Sequence, residues 1–126
     1  MIQRALALIA LAMVLASCGA APAAPGTGIE GIVELAPTCP VERINSPCPP
    51  RPMAATIVIK DRRAVEVARV TSGRDGHFKV DLPAGSYTLI GLMVGGSMLP
   101  RPIPISVVVD PGRYTTVTVE YDSGIR

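Results

Sequence analysis

Thr71-Ser72-Gly73-Arg74-Asp75-Gly76-His77-Phe78-Lys79-Val80-Asp81-Leu82-Pro83-Ala84-Gly85-Ser86-Tyr87-Thr88-Leu89 is the stretch whose reading decides the fold class. Phe78, Val80 and Leu82 alternate with His77, Lys79 and Asp81, the period of a strand with one buried and one wet face. Gly73 and the Asp75-Gly76 pair in front of it mark a tight turn. Gly76 supplies a backbone state closed to most residues. Pro83-Ala84-Gly85 marks the next turn, after which Tyr87, Leu89 and Gly91 share one face of a second strand. Tyr87 can bury its ring there while its hydroxyl finds a partner at the rim.

Working outward, the same alternation recurs on both sides. Ile29 to Leu35 reads as a short edge strand and Ala55 to Lys60 as a β-branched strand. Asp61 to Arg63 is a turn. Ala64 to Thr71 alternates at Val65, Val67 and Arg69 and slips at Val70, which reads as a bulge. Ile105 to Val109 is a further strand, Asp110-Pro111-Gly112 a turn with Pro at its corner, and Tyr114 to Tyr121 sets Val117, Val119 and Tyr121 against Thr116, Thr118 and Glu120. Two stretches are irregular: 36–52, with six prolines and two cysteines, and 94–104. Short strands joined by Gly, Pro and Asp, with no helical period outside the first residues, predict an all-β domain. The expectation is a seven-stranded antiparallel Greek-key β-sandwich, two sheets packing because each has one apolar face.

The beginning of the chain carries a different signal. Met1 to Arg4 holds one positive charge, and residues 5–16 are almost entirely apolar, the n- and h-regions of an export signal. The run is too short for a permanent membrane helix, which needs roughly 20 residues. Leu15-Ala16-Ser17-Cys18 reads as a lipobox: residues 1–17 are removed and Cys18 becomes a lipidated N-terminus. An ordinary secretory cut near residues 20–24 and an uncleaved anchor are the competing readings. Two or more acyl chains anchor stably where one does not. Residues 18–28, rich in Ala, Pro and Gly, form a tether, and 29–126 forms the domain. The expected location is the extracytoplasmic face of a bacterial cell membrane; Gly19 does not decide between inner and outer membrane.

Composition narrows the function. The formal net charge is +2, with Arg62 and Arg63 the one adjacent basic pair, so there is no basic track for phosphates and no nucleic-acid partner is expected. With one Phe, three Tyr and no Trp, a stacking platform is not expected either. Cys39 and Cys48 remain once Cys18 is lipidated. Export favours a disulfide between them, worth about 2–3 kcal/mol in the chain-entropy account. Zinc would need about four ligands and His77 is the one histidine; the spacing is unlike a C-x-x-C redox pair. No metal or cofactor is expected. His77 and the turn-borne Asp75, Asp81, Asp110 and Asp122 read as solvent-facing turn residues rather than as catalytic groups.

The strings Gly31-Ile32-Val33, Asp75-Gly76-His77-Phe78-Lys79-Val80 and Leu82-Pro83-Ala84-Gly85-Ser86-Tyr87-Thr88-Leu89 resemble the carboxypeptidase regulatory-like domains, which share a prealbumin-like (transthyretin-like) sandwich also found in collagen-adhesin B-type repeats. The resemblance covers residues 29–120 and implies a non-catalytic domain that supports an enzyme or acts as a stalk or adhesive unit. The Lys–Asn isopeptide common in the adhesin repeats is not expected: Lys60 and Lys79 are present, but the one Asn is Asn45. The insertion at 37–52 and the ending Tyr121-Asp122-Ser123-Gly124-Ile125-Arg126 resemble those of small bacterial lipoproteins of unassigned role.

Loops carry recognition more often than sheets, and proline preorganises them. The expected function is contact with an envelope or extracellular protein through the two loops, with Arg43, Arg51, Met98, Leu99 and Arg101 as contact residues. A purely structural surface domain and a small-ligand module are the alternatives, and no small-molecule substrate is evident.

Overall fold

The computed structural model describes residues 25–126, so Cys18, the segment 1–17 and most of the tether lie outside the described residues. Nine strands follow in order: β1 (Gly28–Ala36), β2 (Arg51–Pro52), β3 (Thr56–Lys60), β4 (Glu66–Thr71), β5 (His77–Asp81), β6 (Gly85–Gly91), β7 (Arg101–Pro102), β8 (Ile105–Val109) and β9 (Tyr114–Asp122). They form two sheets. One has the order β4-β3-β6-β8, all antiparallel; the other runs β2-β1-β9-β7, with β5 also paired to β1. Between the sheets lies one apolar core built from Ile29, Val33, Ile57, Ile59, Leu89, Val109, Val119 and Tyr121, all at 2 % exposure or less.

The seven-stranded, purely antiparallel Greek-key, prealbumin-like arrangement expected from the sequence is corrected on two points. First, β1 and β9 run parallel through nine residue pairs, from Gly28 opposite Tyr114 to Ala36 opposite Asp122. Alternation reports which face of a strand is buried and carries no information about its neighbour's direction. Second, two further strands, β2 and β7, arise inside the Pro-rich loops. Each is two residues long, ends in proline and lies at a sheet edge, where a missing N–H costs no ladder bond.

Strand β1 is also not an edge. It holds β9 on one side, while its other side is shared between β5, opposite residues 28–32, and β2, opposite residues 34–35. Between those two partners the turn fills in: the Val33 amide donates to the Gly76 carbonyl at 2.8 Å and the Met53 amide to the Val33 carbonyl at 3.0 Å. Gly76 sits at φ +79°, and a Cβ there would run into the Val33 carbonyl. The Asp75 carboxylate accepts from the His77 amide at 3.1 Å and completes the turn.

The irregularity in β4 is real but lies elsewhere than at Val70. Ile59 pairs with Ala68 and Lys60 with Glu66, so Val67 is the extra residue. The phase is also the other one: Ala68 and Val70, opposite Ile59 and Ile57, pack against the core, whereas Val65 and Val67 stay exposed. The other strand faces and turns follow the sequence reading. Asp61 closes its turn by accepting from the Arg63 and Val65 amides; Phe78 and Leu82 are buried opposite the exposed His77, Lys79 and Asp81.

Candidate contact surface

The two sheets share a long axis whose ends differ. At one end the chain enters. Thr27 is buried there: its hydroxyl accepts from the Gly112 amide and its carbonyl from the Leu82 amide, while the Gly26 amide donates to the Tyr114 hydroxyl. The tight turns 61–64, 83–85 and 110–112 lie at this same end. From it β1 runs nine residues, about 26 Å of extended chain, to the opposite end. There β1 leads into the 36–52 loop and β9 into residues 123–126. The 92–104 loop, leaving β6 beside Thr56, arrives at the same place.

Residues 122–124 bind these pieces together. The Ser123 amide donates to the Ala36 carbonyl and its hydroxyl to the Pro37 carbonyl, which fastens the first loop. Leu99 leans on Gly124, so that a Cβ at 124 would collide with it, and Arg101 reaches Asp122 at 3.8 Å; these fasten the second loop. Asp122 also receives the Arg126 guanidinium at 2.9 Å. That hydrogen bond, then the Gly124 amide and the charges of Arg126 and Arg101, hold the Asp122 carboxyl down at about 2. At the exit of the first loop the buried Ser72 hydroxyl accepts from the Ala55 amide and donates to the Met53 carbonyl.

The structure therefore brings both expected loops to one pole, but not their arginines to one point. Arg51 in β2 and Arg101 in β7 lie at the two edges of the same sheet, three strand spacings apart, about 14 Å. Arg43 sits on a tight bridge with Ser46 inside the first loop. Met98 is 86 % exposed and Leu99 about half. Cys39 and Cys48 are joined in a disulfide, with Cα atoms 6.0 Å apart. Sequence reasoning missed Ile44, which is fully exposed at 101 %, and Val41 at 70 %. It missed Met93 too, which is about half exposed just past the end of β6. The available signal was the apolar residue between Arg43 and Asn45 in a loop with no strand period.

Eleven large hydrophobic side chains are exposed among the described residues. Eight of them, Val41, Ile44, Leu92, Met93, Val94, Met98, Leu99 and Ile103, are at this pole. The remaining three, Val65, Val67 and Val108, are spread over the second sheet.

A second feature is a shallow trough of about 600 Å³ on the outer face of β5-β1-β9. Two cross-strand rows wall it, Lys79–Glu30–Thr116 and His77–Ile32–Thr118. Lys79 does not close an ion pair with Glu30; its Nζ stands 4.1 Å over the Tyr114 ring. The Tyr114 hydroxyl donates to Asp81, and that bond raises its pKa. No group of three or more His, Cys, Asp or Glu gathers to hold a metal ion among the described residues.

No family model matches the chain, and no curated protein matches it either. Among solved structures it is similar to a chain described as "The Bacillus anthracis TIE protein", at 15 % identity and a TM-score of 0.38. That match covers 77 % of this chain and 16 % of the other. This chain thus spans about one sixth of that chain's length.

Proposed function

We propose that this chain is a lipid-anchored extracytoplasmic contact module. In this reading Cys18 carries the lipid, residues 18–28 space the domain from the bilayer, and the sandwich presents its loop pole to an envelope or extracellular protein. The observation that carries the proposal is the gathering of eight exposed apolar side chains at the pole opposite the chain's entry. Scattered single hydrophobics are ordinary on a surface; a gathered set marks interaction. The Asp75-to-Leu89 strings support kinship with carboxypeptidase regulatory-like domains, whose role is non-catalytic.

The anchor is tested by mass spectrometry of the mature protein. A diacylglycerol thioether on Cys18 with residues 1–17 gone is expected, and Cys18→Ser should leave the membrane fraction or persist as precursor. An unmodified thiol at 18 would end the reading. The contact is tested by Arg43→Ala, Arg51→Ala and Arg101→Ala, which should lower recovery of a crosslinked envelope partner without moving the thermal melt. Undiminished recovery in all three would leave a passive structural domain as the better account.

A further inference from the structure

The Cys39–Cys48 disulfide fastens a segment that contributes nothing to the core. Residues 40–47 are all exposed. Their backbone tie is local to the loop: the Ser46 amide donates to the Arg43 carbonyl at 3.0 Å. None of these residues belongs to the packed core or to the half-buried set around it. The loop's hold on the domain comes from its two stems instead, through Ser123 on Ala36 and Pro37 and through Ser72 on Met53 and Ala55. A crosslink placed outside both stems does not brace the sandwich; it fixes the tip.

What it fixes is Ile44. This side chain stands on the two-residue turn of the Arg43–Ser46 bridge, and no neighbour covers it. We infer that the clasped tip is a preformed recognition knob, with Ile44 inserting into an apolar socket on a protein partner. The inference rests on the contact reading above and names its partner's chemistry. Shape favours a socket, because a fully projecting side chain cannot be buried by a flat surface. Charge favours a protein with little net charge at the contact rather than an anionic membrane. The cations toward this pole (Arg43, Arg51, Arg69, Arg74, Arg101 and Arg126) are matched in number by Glu34, Glu42, Glu66, Asp75, Glu120 and Asp122, with Arg69 paired to Glu66 and both Arg101 and Arg126 to Asp122, which leaves no excess positive charge to draw in acidic lipid. A preordered tip binds more tightly because its ordering cost is already met in the free protein.

The experiment uses the full chain in its own cells, with a photocrosslinking residue at position 44, at 98 or, as control, at the exposed Val65 on the far sheet. A discrete protein adduct is expected from 44 and 98 and none from 65. The adduct counts only if the identified protein, purified, binds the full chain. That binding should change less than twofold between 50 and 500 mM salt. It should weaken at least tenfold for Ile44→Asp, with an unchanged circular dichroism melt, and for the Cys39→Ser/Cys48→Ser pair, which should still melt cooperatively with its midpoint lowered through the freed unfolded chain. Adducts from 98 alone, binding indifferent to Ile44→Asp, or a tenfold salt dependence would overturn the socket while leaving the contact reading standing. Adducts confined to lipid, or binding to vesicles of one-third phosphatidylglycerol that Ile44→Asp abolishes, would overturn the protein partner. No adduct from 44 or 98 would overturn both. Should the double serine variant unfold, the clasp braces the fold after all and the argument from its position fails; Ile44→Asp still reads the knob by itself.

Discussion

Tyr121 meets Gly91 across the gap between the two sheets. The ring is fully buried, its hydroxyl donates to the Leu92 carbonyl at 2.7 Å, and burial raises its pKa. A Cβ at Gly91 would collide with that hydroxyl. Gly91→Ala should therefore cost about 1–3 kcal/mol as overpacking, and Tyr121→Phe about 1–3 kcal/mol by leaving the carbonyl unpaired, both read from denaturant midpoints at constant slope. That Gly91 and Tyr121 each face inward is legible from alternation; that they face one another is not, because they lie on strands of different sheets, and the hydrogen bond beside them, Tyr121 to Leu92, spans 29 residues. Asp122 gives the pH prediction. Its carboxyl lies at about 2, below the usual aspartate value of 3.8, so the ties it accepts are complete above that ordinary value. They are lost as pH falls from about 4 through about 2. Proton exchange at the Gly124 amide should rise over that window, and Asp122→Asn should show the faster exchange already at neutral pH. Unchanged exchange down to pH 2 would contradict the assignment.

At the scale of elements, β4 shows how one residue changes a strand's meaning. The string from Ala64 to Thr71 offers two competing phases, and pairing opposite the buried Ile57 and Ile59 selects the one that packs Val70 and Ala68 against the core. Composition does not choose, since valine is available to both faces. The structure makes the choice testable: Val67→Thr should shift stability by no more than about 0.5 kcal/mol as a surface change, whereas Ile59→Ala, opposite the bulge and fully buried, should cost about 2–5 kcal/mol. Equal effects at the two positions would mean the phase is the other one. The edges are blunted in the ways natural sheets use. Strand β4 carries its bulge and a Glu66–Arg69 pair, β5 carries Lys79, and at β8 the Val108 carbonyl accepts from the Thr115 hydroxyl. The loop cysteines were legible as a pair from the context of export, whereas the two-residue strands β2 and β7 were not: prolines give no strand signal, and those strands exist only because β1 and β9 offer them an edge.

For the molecule as a whole, the parallel β1–β9 ladder joins residues 86 positions apart in sequence. The first strand therefore lacks its main partner until the last one arrives, and such long-range pairing folds slowly. Removing residues 114–126 should leave no cooperative thermal transition, since β1 and half the core lose their lining; a retained sharp melt would show that the second sheet folds alone. The same ladder fixes which end is which. With the proposed lipid on Cys18, the entry pole faces the bilayer and the loop pole points away. A gadolinium-bearing lipid should then broaden the amide signals of turns 61–64 and 110–112 more than those of 41–46, and the reverse order would place the loops on the bilayer.

The sequence by itself determined where the long strands lie, which of their side chains face inward outside β4, where the turns fall and which cysteines can join. Each of these is written in neighbouring residues: a period of two, a glycine or proline at a corner, a shared compartment. Tertiary structure alone decided that β1 is central and parallel to β9, that Val67 is extruded, and that two loops separated by some forty residues meet with residues 122–124 at one pole. Backbone donors and acceptors are the same in every strand, so pairing is chosen by the packing of the whole core, and the gathering of exposed apolar side chains is a consequence of that choice.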